Sequence, residues 1–291
     1  MDNGVRTTSF MASLEEGLCQ ELAALAQRCI AGFSDDRPVN ASLVRSRLTN
    51  ALTGAPPVLA VARDGQEVMI GWCAVRRPEP GETGARVWGP VVAPSARRTG
   101  LGTRLLQMVV DAVQGPLVTT DVPADRDGAD AFFTGAGWQV LDTITVLHGV
   151  PTRGGFDVVT GDEEAMELAA YVAAAARRHG PHEASFAEVT LRRWQDDARF
   201  RPGNLLLDTR TGSLLLALAQ RSTAGSELLL AEVWAAEAEV RRRLITAAHT
   251  AAARQRLGTV RAVTRQDPAD FVACGMRPTG RCRTFTLPGA R

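Results

Sequence analysis

Along this chain, apolar and polar residues fall into two kinds of run. Some alternate or stay apolar for five to eight positions between glycine, proline and aspartate; others bring an apolar residue back every three or four positions. The first kind predicts strands and the second helices. In the first half the pattern predicts a strand at Val5–Phe10, a helix over Leu14–Ile30 and another at Ala41–Leu52. Pro56–Pro57 then leads into a hairpin, Val58–Arg63 and Glu67–Arg76, turning at Asp64-Gly65. A strand at Arg86–Val92 runs into a basic turn with two glycines. From Gly102 a helix follows in which Leu105, Leu106, Val109, Val110 and Val113 share one face. After Gly115-Pro116 come a strand at Leu117–Val122, a helix at Ala124–Gly135 and a strand at Val140–Leu147.

The second half repeats this order. It predicts a strand at Phe156–Val159, helices at Glu163–Arg178 and Phe186–Asp197, and a hairpin of Leu205–Asp208 and Ser213–Gln220 turning at Thr211-Gly212. Strand Glu227–Trp234, helix Glu237–Arg256, strand Thr259–Thr264, helix Pro268–Cys274 and strand Cys282–Leu287 complete it. Phe133 precedes Gly137 by four residues, and Phe271 precedes Gly275 by the same interval. A repeat of about 145 residues accounts for this. The expectation is an α/β protein with a mixed sheet in each of two tandem domains, residues 1–149 and 156–291. The linker is expected at His148–Gly155, where glycine and Pro151 cluster.

Composition narrows the chemistry. With 291 residues and an ordinary apolar share, the chain has material for two cores. No apolar run reaches the ~18 residues of a membrane span, and no basic segment followed by an apolar one opens the chain. Five scattered cysteines without a CxxC pair suggest reduced thiols, so a cytoplasmic protein is expected. Four histidines without ligand spacing give no metal site. All 33 basic residues are arginine. Residues 1–150 carry a net −3 and residues 151–291 a net +4, most simply solvated helix faces. Near-neutral charge speaks against a nucleic-acid partner.

The strand, turn and helix of residues 87–113 carry the strongest signal. Backbone N–H groups and a helix N-terminus together attract a diphosphate, and glycines at 100 and 102 let backbone approach a ligand closely. The Rossmann fingerprint is not met, because Leu105 occupies the third glycine's place, and no Gly-Lys-Ser/Thr is present for a P-loop.

Val92-Ala93-Pro94-Ser95-Ala96-Arg97-Arg98-Thr99-Gly100-Leu101-Gly102 resembles the V-x-P-x-x-[RQ]-x-x-G-x-[GA] motif of the GNAT N-acetyltransferases. Phe133-Thr-Gly-Ala-Gly137-Trp138 resembles a second element of that family. The element order is similar through both halves, so the resemblance implies two tandem GNAT folds, a pseudo-dimer within one chain. It implies acetyl-CoA as cosubstrate, with the N–H groups of Arg98, Thr99, Gly100, Leu101, Gly102 and Thr103 on its pyrophosphate and charge from Arg97 and Arg98. Pantetheine would lie along Val91 and Val92, and Phe133 would line the thioester channel. The equivalent turn of the second half, Val233 to Leu244, has no glycine and carries Glu237 and Glu239, so that domain is expected to bind no CoA.

For the chemistry, Asp121 is the candidate general base, at the position where ribosomal-protein alanine acetyltransferases of the family carry a glutamate. A helix cap or a solvated strand end is the alternative. The family's usual proton-donating tyrosine is replaced by Phe133, and the chain's only tyrosine, Tyr171, is read as a core residue. His179 and His182 are read as helix-end partners. The expected acceptor is the amine or hydroxylamine of a small molecule. A peptide or protein N-terminus, an aminoacyl-tRNA-dependent transfer and a non-catalytic acyl-CoA sensor are the alternatives. The chain is expected as a monomer or homodimer.

Overall fold

The computed structural model describes residues 7–30, 39–52, 58–78, 84–113, 117–126, 128–154, 159–160, 199–208, 211–222, 225–265 and 267–288. They fall into two compact units, Met1–Thr143 with Cys282–Arg291, and Ile144–Arg281. The predicted helices at 163–178 and 186–197, with Tyr171, His179 and His182, lie outside the described residues, as do Pro56–Pro57 and Gly115–Pro116.

The first unit contains β1 (Thr7–Phe10), α1 (Glu16–Ile30), α2 (Ala41–Leu52), β2 (Leu59–Arg63), β3 (Met69–Arg76), β4 (Gly84–Val92), α3 (Leu101–Asp111), β5 (Leu117–Pro123), α4 (Ala129–Gly135) and the start of β6 (Gln139–Gly149). Strands β1 to β4 pair antiparallel in sequence order, and β4 pairs parallel with β5. Asn40 caps α2 by accepting from Leu43 N–H at 2.8 Å. Strand β3 is buried along nearly its whole length, because helices cover both faces. Gly71 faces Leu101 and Leu105 of α3, while the indole of Trp72, the next residue, donates to Leu22 O of α1 at 3.2 Å. Successive strand residues point to opposite faces, so α1 and α3 lie on opposite sides of the sheet.

The second unit contains the end of β6, β7 (Val159–Thr160), β8 (Leu205–Asp208), β9 (Ser213–Ser222), β10 (Gly225–Trp234), α5 (Ala238–Arg254), β11 (Thr259–Thr264), α6 (Ala269–Ala273) and the start of β12 (Arg277–Thr286). Strands β7 to β10 again pair antiparallel, and β10 pairs parallel with β11. Among the described residues, no helix is long and apolar enough to cross a membrane.

The division at 149 and 156 differs from this structure. His148 and Gly149, expected in a linker, are paired with Arg261 and Val260 at the end of β6. At the other end of the chain, Cys282–Thr286 pair with Pro123–Thr119 of β5 and belong to the first unit. Alternation predicts a strand but not its partner, which tertiary packing alone decides.

Candidate active site

The two units share one feature. In the first, only Gly84–Arg86 of β4 pair with β5, at Leu117–Thr119. One further link follows, Thr120 Oγ1 donating to Val87 O at 3.2 Å. Beyond it, Val91 and Val92 keep β3 as their strand partner, and no strand among the described residues takes the other edge. A register shift between Trp72 and Ala74, opposite Gly89–Pro90, bends β4 here. In the second unit β10 pairs with β11 over Glu227–Leu230 and has its own register shift before Glu232. Each parallel pair therefore opens at the carboxyl end of its first strand.

In the first unit this opening leads to a helix N-terminus. After Val92 the chain makes a short 3-10 turn, Pro94–Ala96. Arg98 and Gly100 then take positive φ, 60° and 79°, and α3 starts. Arg104 N–H donates to Gly100 O at 3.0 Å, and the N–H groups of Leu101, Gly102 and Thr103 precede the helix's own bonding. No acidic residue stands in the first turn, which leaves the positive end of the helix dipole uncancelled. At Gly100 a Cβ would meet nothing within 4 Å. A groove of about 560 Å³ extends from Gly100 and Thr103 past Arg104, Gln107 and Met108 to Asp111. The donor set and its open front fit a diphosphate.

The predicted residues divide at this point. Val92, Gly100, Leu101, Gly102 and Thr103 come together, with Val92 Cγ2 facing Gly102. Thr99 secures the turn by donating from Oγ1 to Ala96 O at 2.8 Å. Val91 turns its side chain into the core beside Trp72. Arg97 folds back, its guanidinium donating to Val92 O at 3.2 Å and Cys29 O at 3.5 Å. It pins the turn to β4 and α1, although like Arg98 it is exposed. Phe133 is 4% exposed, stacked on Phe285 and edge-on to Phe132 and Trp138. Its ring belongs to the core, not to a channel wall. The neighbouring Phe132 is the one against the turn, its ring 3.2 Å from a Cβ at Gly102.

Asp121 lies on β5 past the last parallel pair. Phe285, paired with Thr120, faces α4, so alternation turns Asp121 to the opposite face. That face also carries Trp88, edge-on to Trp72 with ring centroids 5.0 Å apart and with the Arg47 guanidinium of α2 over it at 5.1 Å. Asp121 Oδ2 is ion-paired with Arg86 Nη2, and Oδ1 accepts from Thr284 Oγ1 at 2.7 Å. The carboxylate is one-third exposed, and the helix-cap alternative is not what is seen. Sequence reasoning missed Arg86, Thr284 and Phe132. Helix phase could have separated Phe132 from Phe133, and strand alternation could have linked Arg86 to Trp88. Nothing local pointed to Thr284. Burial pushes the thiols of Cys19, Cys29, Cys73 and Cys274 up, so none of the four is poised as a nucleophile. Among the described residues no group of His, Cys, Asp and Glu could hold a metal.

The second unit differs at the corresponding place. Helix α5 starts after Glu237, has Glu239 in its first turn, and lacks glycine there. The Arg241 guanidinium donates to Ala235 O at 2.8 Å and to Asp270 at 2.5 Å, and Arg242 holds the other Asp270 oxygen at 2.8 Å. The turn's carbonyl is thus held by a side chain of the unit itself, and among the described residues no side chain caps the N-terminus of α5.

The acetyltransferase (GNAT) family model matches residues 22–138; no curated protein matches the chain. Among solved structures, a GCN5-related N-acetyltransferase from Sphaerobacter thermophilus is 17% identical, with a TM-score of 0.67 over 97% of this chain and 95% of that one. A tandem GNAT protein from the clavulanic acid biosynthesis pathway is 16% identical, with a TM-score of 0.67 over 97% and 98%. The glucosamine N-acetyltransferase region of a fungal multi-domain β-N-acetylglucosaminidase is 15% identical, with a TM-score of 0.69 over 98% of this chain and 38% of that longer one. At such identities the likeness is one of fold, and it spans both units. The matched domain holds the open strand pair, the glycine turn and α3, and the second unit repeats the same strand pairing; residues 22–138 are similar to the GNAT acetyltransferases, and the chain as a whole shares the fold of the solved tandem GNAT protein.

Proposed function

We propose that this protein transfers an acetyl group from acetyl-CoA to the amine of a small molecule, in its first unit. The observation that carries this reading is the opened β4 edge ending on the glycine-nucleated start of α3. Extended backbone there suits strand-like pairing with a pantetheine arm, and the N–H groups of Leu101, Gly102 and Thr103 suit a diphosphate. Acetyl-CoA supplies an acyl group activated as a thioester. Asp121 lies on the face of Trp88 and α2, away from α3 and α4, and takes the proton of the acceptor ammonium, directly or through water. Phe133 cannot return a proton to the thiolate, which departs unaided or with one from solvent. Two of the similar folds belong to a glucosamine N-acetyltransferase region and to a protein of the clavulanic acid biosynthesis pathway, which favours a small acceptor over a peptide. The test is thiol release from acetyl-CoA against a panel of amino sugars, small aliphatic and aromatic amines and N-terminal peptides. Turnover with a small amine is expected; no release with any member, or release with peptides alone, would overturn the proposal.

A further inference from the structure

Asp121 is held by a residue 163 positions away in sequence. We propose that Thr284, on the C-terminal strand, is a positioning residue for Asp121, so that the chain's last strand completes the active site of the first unit; this rests on the reading of Asp121 as the base.

The two carboxylate oxygens are anchored from different directions. Arg86, the last β4 residue to pair with β5, takes Oδ2. Thr284, directly opposite Asp121 in the antiparallel β5–β12 ladder, donates to Oδ1 at 2.7 Å. One anchor leaves a short carboxylate free to rotate about its last bond; two on separate strands fix both its direction and its plane. Thr284 is only 2% exposed, and a buried β-branched side chain has little rotamer freedom of its own.

The strand is also locked in register. Phe285 stacks on Phe133 with ring centroids 5.3 Å apart. Thr286 Oγ1 donates to Val118 O at 3.2 Å, and Arg283 is ion-paired with Asp130 of α4. A slip of one residue would turn Phe285 out of the core and remove the hydroxyl from Asp121 at the same time. Packing that stabilises the unit therefore also sets the position of the base.

Three full-length variants test this: Thr284→Val, which keeps the shape and removes the hydroxyl, Thr284→Ser, which keeps the hydroxyl, and Asp121→Asn. Turnover of the best amine is measured with separate kcat and KM, and acetyl-CoA binding by calorimetry. Thr284→Val should lose on the order of tenfold in kcat, with acetyl-CoA affinity within about twofold of the parent. Thr284→Ser should recover most of that loss. Asp121→Asn should lose on the order of 100-fold or more. Full kcat in Thr284→Val beside a strongly impaired Asp121→Asn would overturn the positioning role alone. A Thr284→Val loss that serine does not recover, or that comes with equal loss of acetyl-CoA affinity, would overturn it too, marking a structural role. Full activity in Asp121→Asn would instead overturn the base on which the proposal rests.

Discussion

Replacing Gly100 with glutamate separates what the turn does for the fold from what it does for a ligand. Gly100 sits at φ 79°, where a side chain costs about 1–2 kcal/mol. A Cβ there meets no atom within 4 Å, so no clash adds to that strain. A carboxylate at a helix N-terminus gains about 0.3–1 kcal/mol from the dipole. The net destabilisation is about 1 kcal/mol, which lowers Tm by roughly 2–4 °C in a domain of this class. For a bound diphosphate the balance reverses. A carboxylate some 5 Å away repels each unit charge by about 3 kcal/mol at an effective dielectric of about 20, on the order of 100-fold in affinity. Gly100→Ala carries the same backbone strain without the charge and should bind far better than Gly100→Glu. Calorimetry with acetyl-CoA and a thermal melt read both effects. Equal acetyl-CoA affinity in Gly100→Glu and Gly100→Ala, with both folded, would show that no phosphate lies at the start of α3.

Phe133→Tyr restores the family's usual donor by name only, because the ring is stacked inside the core. It should cost about 1–3 kcal/mol for a buried hydroxyl without a partner and leave kcat no higher; a gain in kcat would show that the ring reaches the reaction. In the second unit, a Cβ on Gly149 would stand 2.5 Å from His249 Cε1 and 3.0 Å from Met276 Cγ. Gly149→Ala should therefore lose about 1–3 kcal/mol in denaturant unfolding, and much less in a His249→Ala background; an equal loss in both would remove His249 as the cause. Burial holds the His249 imidazole below its ordinary value of 6.5, with the bond to Val150 O pulling weakly the other way. The unfolded chain takes up that proton first, so stability should fall as pH drops below about 6.5 and level off once the folded ring is protonated as well. His249→Gln should flatten that part of the stability–pH curve, and an unchanged slope would refute the assignment.

Much of this was legible in the sequence because it is local. Helix α2 at Ala41–Leu52 and strand β11 at Thr259–Thr264 have the predicted bounds, since apolar spacing and flanking turn residues lie within a few positions of each other. For the same reason the helix expected from Gly102 begins only one residue earlier, at Leu101 after Gly100. What depended on pairing was not legible. Nothing within Cys282–Leu287 distinguishes β5 from any other partner, and so neither the unit boundary nor the bond from Thr284 to Asp121 could be read. Arg97 and Arg98 look alike in sequence, and that Arg97 is the one bound to the Val92 and Cys29 carbonyls could not be read from it. Their backbones differ, Arg97 extended at φ −69° and Arg98 left-handed at φ 60°.

The two helix starts differ: α3 follows Gly100 and has no acidic residue in its first turn, whereas α5 follows Glu237 and carries Glu239 there. Both units retain the parallel pair that opens and the strand irregularity beside it, so the architecture by itself does not make a phosphate site. At α3 a groove runs from Gly100 and Thr103 along the helix, and a Cβ on Gly100 would meet no atom within 4 Å. At α5 an arginine–aspartate network lies beside the helix start. Arg242 and then Arg241 hold the Asp270 carboxyl below the usual carboxylate range, and Arg241 also satisfies the turn carbonyl of Ala235. Asp270 is buried, and removing one partner from such a network typically costs several kcal/mol. A glycine in place of Glu237 alone would leave the Glu239 carboxylate in the first turn of α5, where its charge opposes a phosphate at the helix N-terminus.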